Sequence, residues 1–130
     1  MRKVIIIEND RFCRNILEQS LKDMFEVFFW DPETSLEREV NKQHYSIILF
    51  DKDSFQKDPF ELIQWLTTVL PFVPVIVFSE EKKSGDVVKA IKCGASDYVT
   101  KPFNEDMIQH VVTHALERQS FKNEIDYLRH

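Results

Sequence analysis

Four apolar runs in this chain stop at side chains that can do chemistry. Residues 47–50 (Ile-Ile-Leu-Phe) end in Asp51, with Asp53 two positions on, and residues 4–7 end in Glu8-Asn9-Asp10. Residues 75–78 stop at Ser79, and the shorter run 98–100, which begins with Tyr98, leads into Lys101-Pro102. Carboxylates, an amide, a hydroxyl and an ammonium suit one reaction, phosphoryl transfer to a carboxylate. Asp51 would be the nucleophile and would carry an aspartyl phosphate. The incoming group brings negative charge to an acidic site, so a Mg²⁺ bridging carboxylates and phosphoryl oxygens is expected. Lys101 would neutralise a further phosphoryl oxygen, and Ser79 would donate a hydrogen bond to another.

That chemistry requires the run ends to converge, which is a demand on the fold. The runs at 4–7, 27–30, 47–50, 75–78 and 98–100 are strand-length and rich in β-branched and aromatic residues. They are nearly continuous rather than alternating, as strands buried on both faces should be. Helical periodicities separate them. Cys13, Ile16, Leu17, Leu21 and Met24 share a face, as do Ile63, Leu66, Val69 and Leu70. Val87, Ala90 and Ile91 form a third such face, and Ile108, Val111, Val112, Ala115 and Leu116 a fourth.

Start and stop signals agree. Asp58-Pro59-Phe60-Glu61 supplies a capping acid, a proline at the first helical position and a glutamate at the third. Thr34 with Glu37, and Asn104 with Glu105 and Asp106, do the same elsewhere. Pro71 and Pro74 end the third helix and Cys93-Gly94 caps the fourth. Five βα units in strict alternation specify an α/β fold, a single doubly wound parallel sheet with helices on both faces. Ligands of such sheets lie beyond the carboxyl ends of the strands, where the acids, Ser79 and Lys101 would meet.

A chain of 130 residues, 43% apolar and 30% charged, reads as one soluble domain. No apolar run approaches the ~20 residues of a membrane span, and the amino end is too short and too soon acidic for a signal peptide. Cys13 and Cys93 read as free thiols of a reducing, cytoplasmic compartment. The net charge of −5 argues against nucleic-acid binding by this domain itself. From residue 104 to 129 no breaker occurs, so the last helix is expected to overrun, with Phe121, Ile125 and Leu128 as a short seam or the start of a linker.

The segments "VIIIEND" (4–10), "IILFD" (47–51), "PVIVFS" (74–79) and "KCGASDYVTKPF" (92–103) resemble a response-regulator receiver domain in content and spacing over essentially the first 118 residues. The resemblance implies a flavodoxin-like (βα)5 three-layer sandwich with sheet order 2-1-3-4-5. Residues 1–118 would be the receiver and 119–130 a helical extension, similar to the linker of nitrogen-regulator-type transcriptional activators. It implies Mg²⁺ held by Glu8, Asn9, Asp51 and the backbone carbonyl of Asp53, with Lys101 as phosphate partner. Ser79 and Tyr98 would be the switch residues. The donor would be a sensor histidine kinase; self-phosphorylation and autodephosphorylation at Asp51 would be Mg²⁺-dependent without making the chain a conventional enzyme. A face of the fourth helix, fifth strand and fifth helix, carrying Ala90, Ile91, Met107 and Val111, would pair two protomers.

Four positions depart from the family pattern. Asn9 stands for a second acid, Phe55 for a proline, Pro59 for a glycine, and Glu80 for a small residue after the switch hydroxyl. Asn9 and Glu80 keep open a pseudo-receiver that works through protein contacts without phosphorylation. "FDKDS" (50–54) also looks like the nucleophile strand of haloacid-dehalogenase-type phosphatases, but those carry it on their first strand. A flavin binder of the same architecture would need a Ser/Thr/Gly-rich loop where Glu8-Asn9-Asp10 stand. His110 and His114, four apart with Glu117 three further on, are a conceivable metal face; without other ligands nearby they read as an exposed or interface pair. Lys82-Lys83 reads as a solvated turn, and Trp30 and Trp65 as packing residues.

Overall fold

A computed structural model describes residues 1–81 and 83–129. Its elements are β1 (Arg2–Ile7), α1 (Arg11–Leu21), β2 (Phe25–Phe29), α2 (Leu36–Lys42), β3 (Ile47–Asp51), α3 (Pro59–Val69), β4 (Val75–Ser79), α4 (Ser84–Lys92), β5 (Asp97–Thr100) and α5 (Glu105–Arg129). One 3-10 turn, Lys52–Ser54, follows β3. The strands pair in parallel in the order β2-β1-β3-β4-β5, the expected doubly wound sheet.

Alternate residues of each strand serve opposite layers. Val4, Ile6, Ile47, Leu49, Ile76 and Phe78 pack with Leu17 and Leu21 of α1 and Ile108, Val112 and Ala115 of α5. Ile5, Ile7, Ile48, Phe50, Val75 and Val77 pack with Leu36, Val40, Ile63, Leu66 and Ala90 of α2, α3 and α4. Every residue of β3 and β4 is therefore buried, which is why their sequences run apolar without alternation.

Several expected boundaries move. The second strand is Phe25–Phe29 rather than 27–30, because the buried Phe25 anchors its start. Met24 lies past the end of α1 and is exposed, so it does not share that helix's inner face. Val69 is likewise exposed at the last turn of α3. Ser35, not Thr34, caps α2 by accepting from the Arg38 N–H; the Thr34 hydroxyl is engaged in the preceding turn, donating to the Asp31 carbonyl. The capping roles of Asp58 and Asn104 stand, accepting from Phe60 N–H and Met107 N–H. Of the Lys82-Lys83 turn, Lys82 lies outside the described residues; Lys83 is exposed and pairs with Glu81 at 3.0 Å.

α5 is one continuous helix to Arg129. Among the described residues none past Ala115 is buried, and Phe121 and Leu128 are exposed. The other end of the sheet's last crossover is tight. Gly94 sits at φ 114 just past α4, and a Cβ there would stand 2.7–2.9 Å from the Thr67 side chain. Thr67 is held in place by donating its hydroxyl to the Cys93 carbonyl at 3.0 Å. Gly94→Ala is thus expected to lower stability by ~1–3 kcal/mol through left-handed backbone strain and the Thr67 clash. Urea denaturation checks this, and an unchanged midpoint would contradict it.

Candidate functional site

The site is assembled by strand ends. In the sheet Ile7 pairs with Phe50, Asp51 with Phe78, and Ser79 with Thr100, so Glu8, Asp51, Ser79 and Lys101 emerge at one rim. Glu8, Asp51 and Ser79 are almost fully buried, at 1%, 2% and 0% exposure. Buried carboxylates are costly unless paired. Lys101 provides the pairing from the far side of β4: its Nζ lies 2.9 Å from both Glu8 oxygens and 3.3 Å from Asp51 Oδ1.

One ammonium therefore faces two carboxylates. Glu8 Oε2 and Asp51 Oδ1 are within ion-pair reach of Lys101, but among the described residues neither takes a hydrogen bond. Burial raises the Glu8 carboxyl above its ordinary value, against the lowering effect of the Lys101 hydrogen bond. Burial also works to lower the Lys101 ammonium; its hydrogen bond to Glu8 and the charges of Asp51 and Glu8 outweigh that and raise it. Asp10 takes no part in the charge cluster. It caps α1 by accepting from Cys13 N–H at 2.9 Å, which holds its carboxyl below the usual range.

The loop after β3 closes over the acids. The Ser54 hydroxyl donates to Asp51 Oδ2, and Ser54 Oγ accepts from the Asn9 N–H at 3.0 Å. The Asn9 side chain is exposed and donates its Nδ2 to the Ser54 carbonyl at 3.3 Å. Asp53 turns its carboxylate towards β4, accepting from Glu80 N–H at 3.3 Å and the Ser79 hydroxyl at 3.5 Å. Among the described residues no three His, Cys, Asp or Glu side chains gather as a metal group. Phe55 packs edge-on against Phe50 and against Trp30, so its departure from proline is absorbed by an aromatic cluster. Glu80 lines a cleft of about 320 Å³ together with Phe12, Cys13, Ile16, Lys101, Pro102 and Phe103. Burial pushes the Cys13 thiol there up to about 11.

Further out, the half-buried Tyr98 donates its hydroxyl to the Glu81 carbonyl at 3.4 Å, tying β5 to the loop before α4. Of the expected pairing face, Ile91 and Met107 are exposed and Val111 is half-buried. Ala90 is not on that surface: it is fully buried beneath α4, and the exposed Val88 offers apolar area instead. Among the contacts that the sequence reading did not foresee, two tie the site together. One is the Ser54 hydroxyl on Asp51, hinted at only by its spacing of three. The other is the Lys52–Asp86 ion pair at 3.0 Å, which links the turn after β3 to the first turn of α4. No sequence signal connects residues 34 apart.

Comparisons follow the same outline. Residues 4–113 match a family model, the response regulator receiver domain. Chemotaxis protein CheY of Listeria monocytogenes is 31% identical over 111 residues, covering 83% of this chain and 92% of that protein. A Rickettsia conorii protein described as an NtrX-like response regulator is 28% identical over 124 residues, 93% of this chain and 26% of that protein. In solved structures the fold is similar to NtrX from Brucella abortus, with TM-score 0.87 and 24% identity over 98% of this chain and 30% of that one. The chain spans less than half the length of several of its curated relatives.

The charge arrangement has a measurable consequence. Lys101→Met strands two buried carboxylates without a cation and is expected to cost ~3–5 kcal/mol in chelator-treated buffer. Adding Asp51→Asn to that variant should recover part of the loss. Urea unfolding of the three proteins decides the matter, and equal stability of Lys101→Met and wild type would refute the pairing.

Proposed function

The chain belongs to the response regulator receiver domain family of two-component systems, whose general function is to accept a phosphoryl group, and from that premise we propose that Asp51 is the acceptor and a sensor histidine kinase the donor. The observation that carries this reading is the buried Asp51 carboxylate at the end of β3, with the Lys101 ammonium 3.3 Å away and the Ser79 hydroxyl at the adjacent strand end. An Asp51 oxygen attacks phosphorus, the new O–P bond forms as the donor's P–N bond breaks, and the donor imidazole nitrogen takes a proton from solvent. Lys101 turns part of its charge from Glu8 to the developing phosphoryl oxygens, and Ser79 donates to one of them. Little bond-making is left to the protein beyond positioning and charge stabilisation.

The residues present fit a divalent cation. Two buried carboxylates share one ammonium, and Glu8 Oε2 and Asp51 Oδ1 take no hydrogen bond among the described residues. Glu8, Asn9, Asp51 and the backbone carbonyl of Asp53 would hold it. When bound, Mg²⁺ supplies the positive charge that lets an anionic donor approach this acidic rim. Asn9 must first release the Ser54 carbonyl and present its amide oxygen, and Ser54 must free Asp51 Oδ2.

Ser79 leaving the Asp53 carboxylate for the phosphoryl group loosens the β4–α4 loop, which Tyr98 holds through the Glu81 carbonyl. The α4-β5-α5 face, with Ile91, Met107 and Val111, is thereby remodelled to pair two protomers. We read residues 119–130 as a helical extension or linker start, and the protein as a transcriptional regulator of the cytoplasm. Among the described residues no helix is long and apolar enough to cross a membrane.

A second reading, the pseudo-receiver, is favoured by one observation: Asn9 and Ser54 occupy each other and the acceptor oxygen. Beryllofluoride separates the two. With acetyl phosphate and Mg²⁺, wild type should gain one phosphoryl group by mass spectrometry, and Asp51→Asn none. Equal labelling of Asp51→Asn would remove the assignment, and no beryllofluoride response with or without Mg²⁺ would favour the pseudo-receiver.

Asn9 tests the cation set. An amide in place of a carboxylate removes a charge worth several kcal/mol before desolvation, so Asn9→Asp should tighten Mg²⁺ binding roughly tenfold to a hundredfold. Glu8→Gln should nearly abolish it. Calorimetric titration of the three proteins is the measurement; an unchanged Asn9→Asp together with a harmless Glu8→Gln would place the cation elsewhere.

A further inference from the structure

His110 and His114 lie one turn apart on α5, on the same face of the helix. Their rings already stand together, with centroids 4.7 Å apart and planes inclined by 38°. Both side chains are exposed. Two nearby polar side chains of the helix bond elsewhere, Gln109 to the Ser20 carbonyl and Arg118 to the Ser96 carbonyl. The backbone beneath is fixed, because Ile108, Val112 and Ala115 are buried in the core and set the rotation of this stretch of α5.

We propose that His110 and His114 chelate one divalent transition-metal ion of the zinc, copper or nickel class, one ring nitrogen each, with water completing its coordination. Imidazole nitrogen is a preferred donor for these ions, at ~2.0–2.1 Å for zinc, and two histidines at i and i+4 on a helix present both to one ion. The second bond is intramolecular and its rings are already adjacent, so little ordering entropy opposes it. The surroundings favour a cation: Asp106 is one turn before His110 and Glu117 one turn after His114, both exposed, in a chain of net charge −5. Neither acid joins the ligand set, since no three-ligand group exists among the described residues. The site is therefore a two-ligand clamp, open to solvent and chemically separate from the oxygen-lined rim. Mg²⁺, a hard ion that keeps its waters and prefers oxygen, does not compete for it.

The inference is independent of the acceptor reading and is tested on the full chain. Zn²⁺ calorimetry in millimolar Mg²⁺ should give one ion per chain for wild type, His44→Gln and Asp51→Asn alike. His110→Gln and His114→Gln should each lose on the order of a hundredfold in affinity, as expected when a chelate becomes a single contact. Circular dichroism confirms that the variants keep the fold. Ni²⁺ should broaden backbone amide signals centred on residues 110–114. No Zn²⁺ binding by wild type at millimolar metal, or wild-type affinity in either α5 variant, would overturn the proposal. So would loss of binding in His44→Gln with retention in His110→Gln.

Discussion

A single ammonium held between two buried carboxylates sets the terms for the rest of this molecule. Glu8 and Asp51 stand at the ends of adjacent strands, β1 and β3, and neither alone could be buried as an anion without severe cost. The compensating cation comes from Lys101, after β5, two strands away from β3. Its side chain must reach across the end of β4, over Ser79, to meet them. Strand order, register and crossover handedness are thus all tested at one point. A sheet shifted by one residue would withdraw one partner and leave the others unpaired in a dry environment.

The pairing is also incomplete. Two negative charges against one positive leave the rim anionic, and a core built for stability alone would have matched them. Functional sites commonly keep such unfavourable arrangements at some expense of stability. Here the expense is limited by the loop after β3. Ser54 donates to Asp51, and Asp53 caps the start of the β4–α4 loop, so the acids are hydrogen-bonded even where they lack a counter-charge. The same loop reaches α4 through Lys52 and Asp86. Asp51, Ser79 and α4 are consequently joined by short contacts rather than by a long chain of packing.

What could be read from the chain alone follows from where side chains are forced by the backbone. Strands buried on both faces show as unbroken apolar runs, so β1, β3 and β4 were placed within a residue or two, and the residues just past them had to lie on the rim. Glu8, Asp51, Ser79 and Lys101 were legible for that reason. β2 was less so: at the edge, with Glu26 exposed and the strand half-buried beyond Phe25, its apolar run does not mark its ends. The orientation of Asn9 was not legible, because the 3-10 turn at Lys52–Ser54 decides which groups come within its reach. Ala90 lies on the apolar face that periodicity marks on α4 and is buried there; its place on a pairing surface came from the resemblance, which carries over a face without saying which of its residues this chain leaves exposed.

α5 has a mechanical consequence of its own. Among the described residues the helix is held by the body as far as Leu116, packed on the core, and Arg118, bonded to the Ser96 carbonyl, and its remaining turns run on for roughly 16 Å at 1.5 Å per residue. Such a rod is a lever whose fulcrum lies in the core. A tilt of about ten degrees at the fulcrum sweeps the tip through on the order of 3 Å, comparable to the offset between hydrogen-bonded and broken contacts. Sub-ångström adjustments near β5 therefore reach the tip as displacements large enough to make or sever a contact. Amplification of this kind depends on stiffness, and an unbroken run without glycine or proline from Glu105 to Arg129 provides it.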